Sequence, residues 1–203
     1  MRKCASALAM SACLALLLLA NSASAATIAQ YTFDTFEGPS LEASGVDPNA
    51  TATAIEEGGG LSANSTTSAN AQHSGLYSFL FSANDISGKT FDGAQDANDY
   101  ITFTVSAKLN YMLNLSNGGN LSFWGYGNDF DTRFGVTYAT NDGDTYNDLV
   151  TSFDPYFKGW KESSTAFGDG FDGLSSITFR IYGWKIGALA NDQCIDDILL
   201  SGA

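Results

Sequence analysis

Tyr100-Ile101-Thr102-Phe103-Thr104-Val105 and Ile177-Thr178-Phe179-Arg180-Ile181-Tyr182 decide the fold class. In each, apolar and polar side chains alternate with a period of two. Ile101, Phe103 and Val105 therefore share one face, as do Ile177, Phe179 and Ile181. A helix would scatter such residues around its axis, whereas a strand gathers them on a side that can be buried. The same parity joins Phe134, Val136 and Tyr138 within 133–140, and Tyr77, Phe79 and Phe81 within 76–81. Shorter candidates are 28–33, 51–55, 111–115, 121–126, 148–153 and 194–200.

These segments amount to about ten short strands, and the clusters between them are turn formers. Gly58-Gly59-Gly60, Asn117-Gly118-Gly119-Asn120, Asn141-Asp142-Gly143-Asp144 and Gly168-Asp169-Gly170 are the clearest. Residues 58–74 read as a loop, and one helical turn is expected around Pro155 to Gly159. Strands that alternate cleanly bury one side and wet the other, and two such sheets face to face make a sandwich. The expected fold is all-β: a single-domain, two-sheet antiparallel β-sandwich, jelly-roll-like, over residues 26–203.

Composition narrows the function classes. The chain has 203 residues, 9 Lys and Arg against 22 Asp and Glu, a net charge of -13 and 13% aromatic residues. So many aromatics with so few charges argue against disorder, and the acidity argues against nucleic acid, whose phosphates would be repelled. Arg2 and Lys3, an apolar run over Leu14 to Ala20, and Ala23-Ser24-Ala25 read as a secretory leader cleaved after Ala25. The run is too short for a transmembrane anchor, which needs ~20 residues. Cleavage would remove Arg2, Lys3, Cys4 and Cys13, leaving 7 basic against 22 acidic residues and Cys194 alone, so no intramolecular disulfide could form. The expected compartment is the periplasm or the medium.

Most catalytic signatures fail on inspection. His73 is the single histidine, and no G-x-S-x-G occurs. Gly168-Asp169-Gly170-Phe171-Asp172-Gly173 spells a dinucleotide fingerprint, but a strand pattern follows where a helix should start. Asp142 to Asp148 begins like an EF-hand loop yet has Asn147 at the glycine position and Phe153 where the last carboxylate belongs. No E-x-D-x-E strand supplies the carboxylate pair of a glycosidase, although Asp pairs keep a polysaccharide hydrolase among the alternatives.

Two features remain. In Cys194-Ile195-Asp196-Asp197-Ile198-Leu199-Leu200, either choice of buried parity carries a carboxylate inward. One reading is a structural Ca²⁺ site formed by Asp196, Asp197 and Asp34; the other is a carboxylate held by backbone N–H groups. The second feature is the tryptophans, Trp124, Trp160 and Trp184. By parity Trp124 and Tyr126 lie opposite Leu121 and Phe123, and Arg180, Tyr182 and Trp184 lie opposite Ile177, Phe179 and Ile181. Both sets fall on faces expected to be wetted, where aromatic rings can stack on sugars; ordinary packing under a loop is the alternative.

TIAQYTFD at 27–34, YMLNLS at 111–116 with Leu121-Ser122-Phe123, ITFRIYGW at 177–184 and IDDILLSG at 195–202 together resemble a family. These are the secreted bacterial proteins that carry PEP-CTERM sorting tails. The resemblance implies a jelly-roll-like domain, export through the inner membrane and a link to surface polymer or biofilm matrix. The chain departs from the pattern at its end, where no Pro-Glu-Pro, apolar helix or Arg cluster precedes Ala203. It is therefore expected free of a covalent anchor. The functional expectation is a non-catalytic module that binds extracellular polysaccharide; a purely structural matrix protein is the second reading.

Overall fold

The computed structural model describes residues 25–35, 38–62, 65–68, 73–128, 130–155, 158–187 and 193–202. The expected leader, apart from Ala25, lies outside the described residues.

In chain order the strands begin with β1 (Ala26–Tyr31), β2 (Asp34–Thr35), β3 (Gly38–Pro39), β4 (Gly45–Val46), β5 (Ala50–Ala52), β6 (Glu56–Glu57), β7 (Thr66–Ser68) and β8 (Ser78–Phe81). Two helices follow, α1 (Ala83–Ile86) and α2 (Phe91–Ala97). The long strands complete the chain: β9 (Tyr100–Ala107), β10 (Asn120–Gly127), β11 (Thr132–Thr140), β12 (Asn147–Phe153), β13 (Gly159–Ala166), β14 (Ser176–Lys185) and β15 (Gln193–Gly202). Among the described residues no helix is long and apolar enough to cross a membrane.

Seven strands form the first sheet in the order β13-β10-β15, with β1-β4 beside one half of β15 and β8-β7 beside the other. Six form the second, in the order β12-β11-β14-β9, with β5 and β6 both paired to β9. β2 and β3 make a small separate ribbon. The named pairings are antiparallel, and the nesting is that of a jelly roll: β10 pairs with β15 while β11 pairs with β14.

The faces turned toward each other carry the residues that the alternation selects. Ile101, Phe103, Val105, Ile177, Phe179 and Ile181 are buried on the second sheet, and Phe79, Phe81, Leu121, Phe123, Ile195, Ile198 and Leu200 on the first. Phe134 of β11 meets Phe81 and Phe123 across the gap, with ring centroids 6.0 and 5.9 Å apart. Each fully buried Phe or Ile contributes roughly 1.5–3 kcal/mol. Among the described residues Cys194 is the one cysteine; it is buried and in no disulfide.

Three expectations are corrected. Residues 111–115 form no strand: Leu113 makes an isolated bridge to Leu174, Leu113 and Leu115 plug the core, and Tyr111 and Met112 stay exposed. Residues 58–74 are not loop throughout, since β7 pairs with β8 there. At Pro155–Gly159, Pro155 and Lys158 are non-helical and Gly159 opens β13, residues 156 and 157 lying outside the described residues. Helix appears instead in α1 and α2. With 4 and 7 residues they are too short to display a 3.6 period. α2 is set by its ends, where the Thr90 hydroxyl accepts from the Gly93 N–H and Asn98 turns left-handed at φ 60°.

Candidate functional site

The two-carboxylate problem in β15 is solved by a bulge. Trp124 of β10 stands opposite Asp196, but Ser122 stands opposite Leu199, so β15 carries one extra residue in between. Asp197 sits at the irregularity with φ 48°. The insertion resets the parity, so that Ile195, Ile198 and Leu200 all reach the core. Neither carboxylate is forced into it.

Both aspartates turn instead to the segment that leads into β8. The Asp196 Oδ2 accepts the backbone N–H of His73 at 3.0 Å and of Ser74 at 3.2 Å, and its Oδ1 accepts that of Asp197 at 2.8 Å. Asp196 is fully buried, and desolvation raises its pKa to about 6 against the opposing pull of those N–H groups. The Asp197 Oδ1 accepts from the Ser74 hydroxyl at 2.7 Å, and its Oδ2 lies 2.8 Å from His73 Nδ1. Asp34 grips the same segment from the other side, its Oδ1 accepting the N–H groups of Leu76 and Tyr77 at 2.8 and 2.9 Å. Gly75 between them has φ 63°, and a Cβ there would run into the Asp34 carboxylate.

The structure thus brings Asp34, Asp196 and Asp197 to one stretch of chain, 73–77, where Asp34 and Asp196 anchor its backbone and Asp197 holds the side chains of His73 and Ser74. Among the described residues no group of three or more His, Cys, Asp or Glu side chains is placed to hold a metal ion. Ser74, His73 and Asp197 do not form a proton relay either. Hydroxyl and imidazole both bond to the carboxylate, whereas a nucleophile would need the imidazole between the other two.

His73 completes an aromatic cluster on the outer face of the first sheet. Its ring stacks on Trp124, with centroids 3.7 Å and planes 12° apart, and tilts against Trp160 at 5.7 Å. Trp160 stands directly opposite Tyr126 across β10 and β13, their rings 5.5 Å apart. Glu162 faces Trp124 and Ser164 faces Ser122 in the same register, so carboxylate and hydroxyl groups border the rings. Trp124, Tyr126 and Trp160 are each half-buried. The sequence expectation put Trp124 and Tyr126 in the ligand-binding set; it named Trp160 as a candidate without placing it on this face, and it did not include His73. Trp160 could have been placed from the alternation Trp160-Glu162-Ser164. His73 could not, because a loop and two carboxylates 123 and 124 residues away bring it in.

Arg180, Tyr182 and Trp184 belong to the other sheet and face away from this cluster, so the expected ligand-binding set is split between two surfaces. Tyr182 and Trp184 lie opposite the core as parity requires, but they are 2% and 4% exposed rather than wetted. α2 covers them: Phe91 stacks on Trp184 at 5.1 Å and meets Tyr182 edge-on at 5.6 Å, and Ala94 is buried in the same cluster. Lys89, just before α2, pairs with the buried Asp99 just before β9 and fastens the cover. Arg180 stays half-buried, its guanidinium 4.4 Å from the Tyr100 ring centroid and 3.6 Å from that of Tyr146.

No family model matches the chain, and no curated protein matches it. Among solved structures it is similar to the xylan-binding CBM22-1 domain of Paenibacillus barcinonensis Xyn10C, at 12% identity and TM-score 0.46 over 89% of this chain and 97% of that one. It is also similar to the CBM22-1-GH10 modules of Clostridium thermocellum xylanase 10B, at 13% identity and TM-score 0.48 over 87% of this chain and 28% of that one. A third is the K3 adhesin domain of Lys-gingipain from Porphyromonas gingivalis, at 14% identity and TM-score 0.46 over 87% and 100%.

Proposed function

We propose that the protein is a non-catalytic carbohydrate-binding module whose platform is the outer face of the first sheet at Trp124, Tyr126 and Trp160. One observation carries this reading. Three half-buried rings stand on adjacent hydrogen-bonded strands in fixed register, beside Glu162 and Ser164. Strands hold the rings at little further entropic cost. Tyr126 and Trp160 offer apolar area for the C–H face of a sugar, Trp124 adds what His73 leaves uncovered, and polar neighbours meet the hydroxyls. Two carboxylates beside the rings, Asp196 and Asp197, are engaged by N–H and O–H donors, which favours binding over hydrolysis. The leader-like start of the sequence supports export, and with it an extracellular polymer as partner. The net charge of -13 disfavours polyanionic chains.

A glycan array of neutral polysaccharides, probed with wild type and Trp160→Ala with and without Ca²⁺, tests the proposal. Binding that falls about tenfold or more in the variant supports it, since a lost stacking ring costs ~1–2 kcal/mol. Equal binding by both proteins overturns it. The matrix reading draws on β12 and β13, which end their sheets and are joined in sequence. Edge strands of 7 and 8 residues can template pairing with a further copy. Concentration-dependent assembly with no glycan binding would favour it.

A further inference from the structure

A second feature lies at the end of the sandwich where β1 starts and β15 stops. A cavity of about 140 Å³ opens there between Ile28, Asp47, Asn49, Tyr111, Met112 and Gly202. None of the aromatic platform residues lines it. Its rim is apolar and open: Tyr111 is 51% exposed, Met112 60% and the neighbouring Leu109 87%. Leu109, Tyr111 and Met112 are three large apolar side chains left in water on one short loop, whereas the other exposed ones, Val46, Leu76, Phe130 and Ile186, lie far apart in the chain, and such patches mark binding sites.

The polar groups at the cavity are few and specific. The Asp47 Oδ1 accepts the backbone N–H of Asn49 at 2.7 Å, fixing the turn. Lys108 braces the same turn by donating its Nζ to the Pro48 carbonyl at 2.7 Å and its backbone N–H to the Asn49 carbonyl at 2.8 Å. Asp47 and Asn49 both line the cavity. Together they supply a charged acceptor, a neutral acceptor and an N–H donor, which complement adjacent hydroxyls.

We propose that this cavity is a carbohydrate subsite that takes one neutral pyranose ring at a chain end. The volume suits a single ring rather than a run of sugars, since a cavity of ~150 Å³ holds one benzene-sized guest. Tyr111 and Met112 present apolar surface to the C–H face, while Asp47 and Asn49 take the hydroxyls on the rim. The Asp47 carboxylate repels acidic sugars. The site differs in kind from the sheet-face platform, which has room along the strands for the interior of a polymer. It stands whether or not that platform binds.

The test uses the whole chain and four neutral probes, the methyl pyranosides of glucose, galactose, mannose and xylose, with methyl glucuronide as the acidic control, followed by saturation-transfer NMR and calorimetry. At least one is expected to bind with a millimolar Kd. Affinity should fall about tenfold in Asp47→Asn, which keeps the Oδ1 turn contact but loses the charge, and likewise in Tyr111→Ala. Thr151→Ala, on the exposed β12 strand, should leave it unchanged. Asn49→Ala gives an independent reading if either variant melts early. The proposal is overturned if no probe saturates below about 10 mM. It is equally overturned if Asp47→Asn and Tyr111→Ala bind as wild type does, or if methyl glucuronide binds more tightly than the neutral glycosides. Polymer binding that is lost in Trp160→Ala while methyl-glycoside binding survives would separate this site from the platform.

Discussion

His73 lies flat on Trp124, with ring centroids 3.7 Å apart and planes 12° apart, while its Nδ1 sits 2.8 Å from Asp197. The imidazole therefore shields one face of an indole that would otherwise meet water, and the carboxylate fixes its orientation. Replacing His73 by Ala should uncover that face. Trp fluorescence is expected to shift to longer wavelength with greater acrylamide quenching, and stability to fall by about 1 kcal/mol for the lost ring contact. Unchanged quenching would show that the stack does not persist in solution.

Asp196 makes stability depend on pH in a sense opposite to that of most aspartates. Burial raises its carboxyl from 3.8 to about 6 in the folded chain, and the unfolded chain titrates near the ordinary value. Between those values the folded state binds a proton that the unfolded state has lost. The contribution is fully present below pH ~4 and is lost as pH rises through about 6. The shift of about two pH units corresponds to ~3 kcal/mol. Denaturant midpoints taken from pH 4 to 7.5 should decline across this window in wild type and stay flatter in Asp196→Asn. Parallel curves would remove Asp196 as the cause.

Much of the sandwich is legible in the alternation alone. Ile101-Phe103-Val105 and Ile177-Phe179-Ile181 face the core because a strand buried on one side admits no other sorting. The site is legible only in part, for reasons that are local and physical. The parity of Trp184 correctly turns it away from the core, but parity does not reveal that seven residues of helix will cover that face. The bulge at Asp197 breaks the period of two within one strand, so neither choice of buried parity for Asp196-Asp197 could come out cleanly. The grip of Asp34 and Asp196 on 73–77 spans 42 and 123 residues and leaves no local trace.

Trp184 and Trp160 should respond in opposite ways to truncation. Trp184 is buried between β14 and α2, so Trp184→Ala is expected to cost about 3–5 kcal/mol in stability, with glycan affinity per folded molecule unchanged. Trp160 is half-buried on an edge strand, so Trp160→Ala should cost far less stability and lower glycan affinity. Chemical denaturation and affinity electrophoresis on the same two proteins read both quantities. Loss of binding in a folded Trp184→Ala protein would move the site to the α2 face.

The Asp34 Oδ1 accepts two consecutive amide N–H groups, and Asp196 accepts three N–H groups over its two oxygens, so these bonds are made by the chain itself. Removing divalent ions should therefore leave these contacts intact, and the melting temperature is expected to be the same in EGTA and in millimolar Ca²⁺. Asp34→Ala, by contrast, strands the N–H groups of Leu76 and Tyr77 and should cost about 1–3 kcal/mol, because amides that lose a charged acceptor must find water or open the segment. The loosened segment carries His73, so the variant should also raise acrylamide quenching of Trp124. A rise in melting temperature with added Ca²⁺ that disappears in Asp34→Ala would mean that the carboxylate serves a cation rather than the backbone of 76–77.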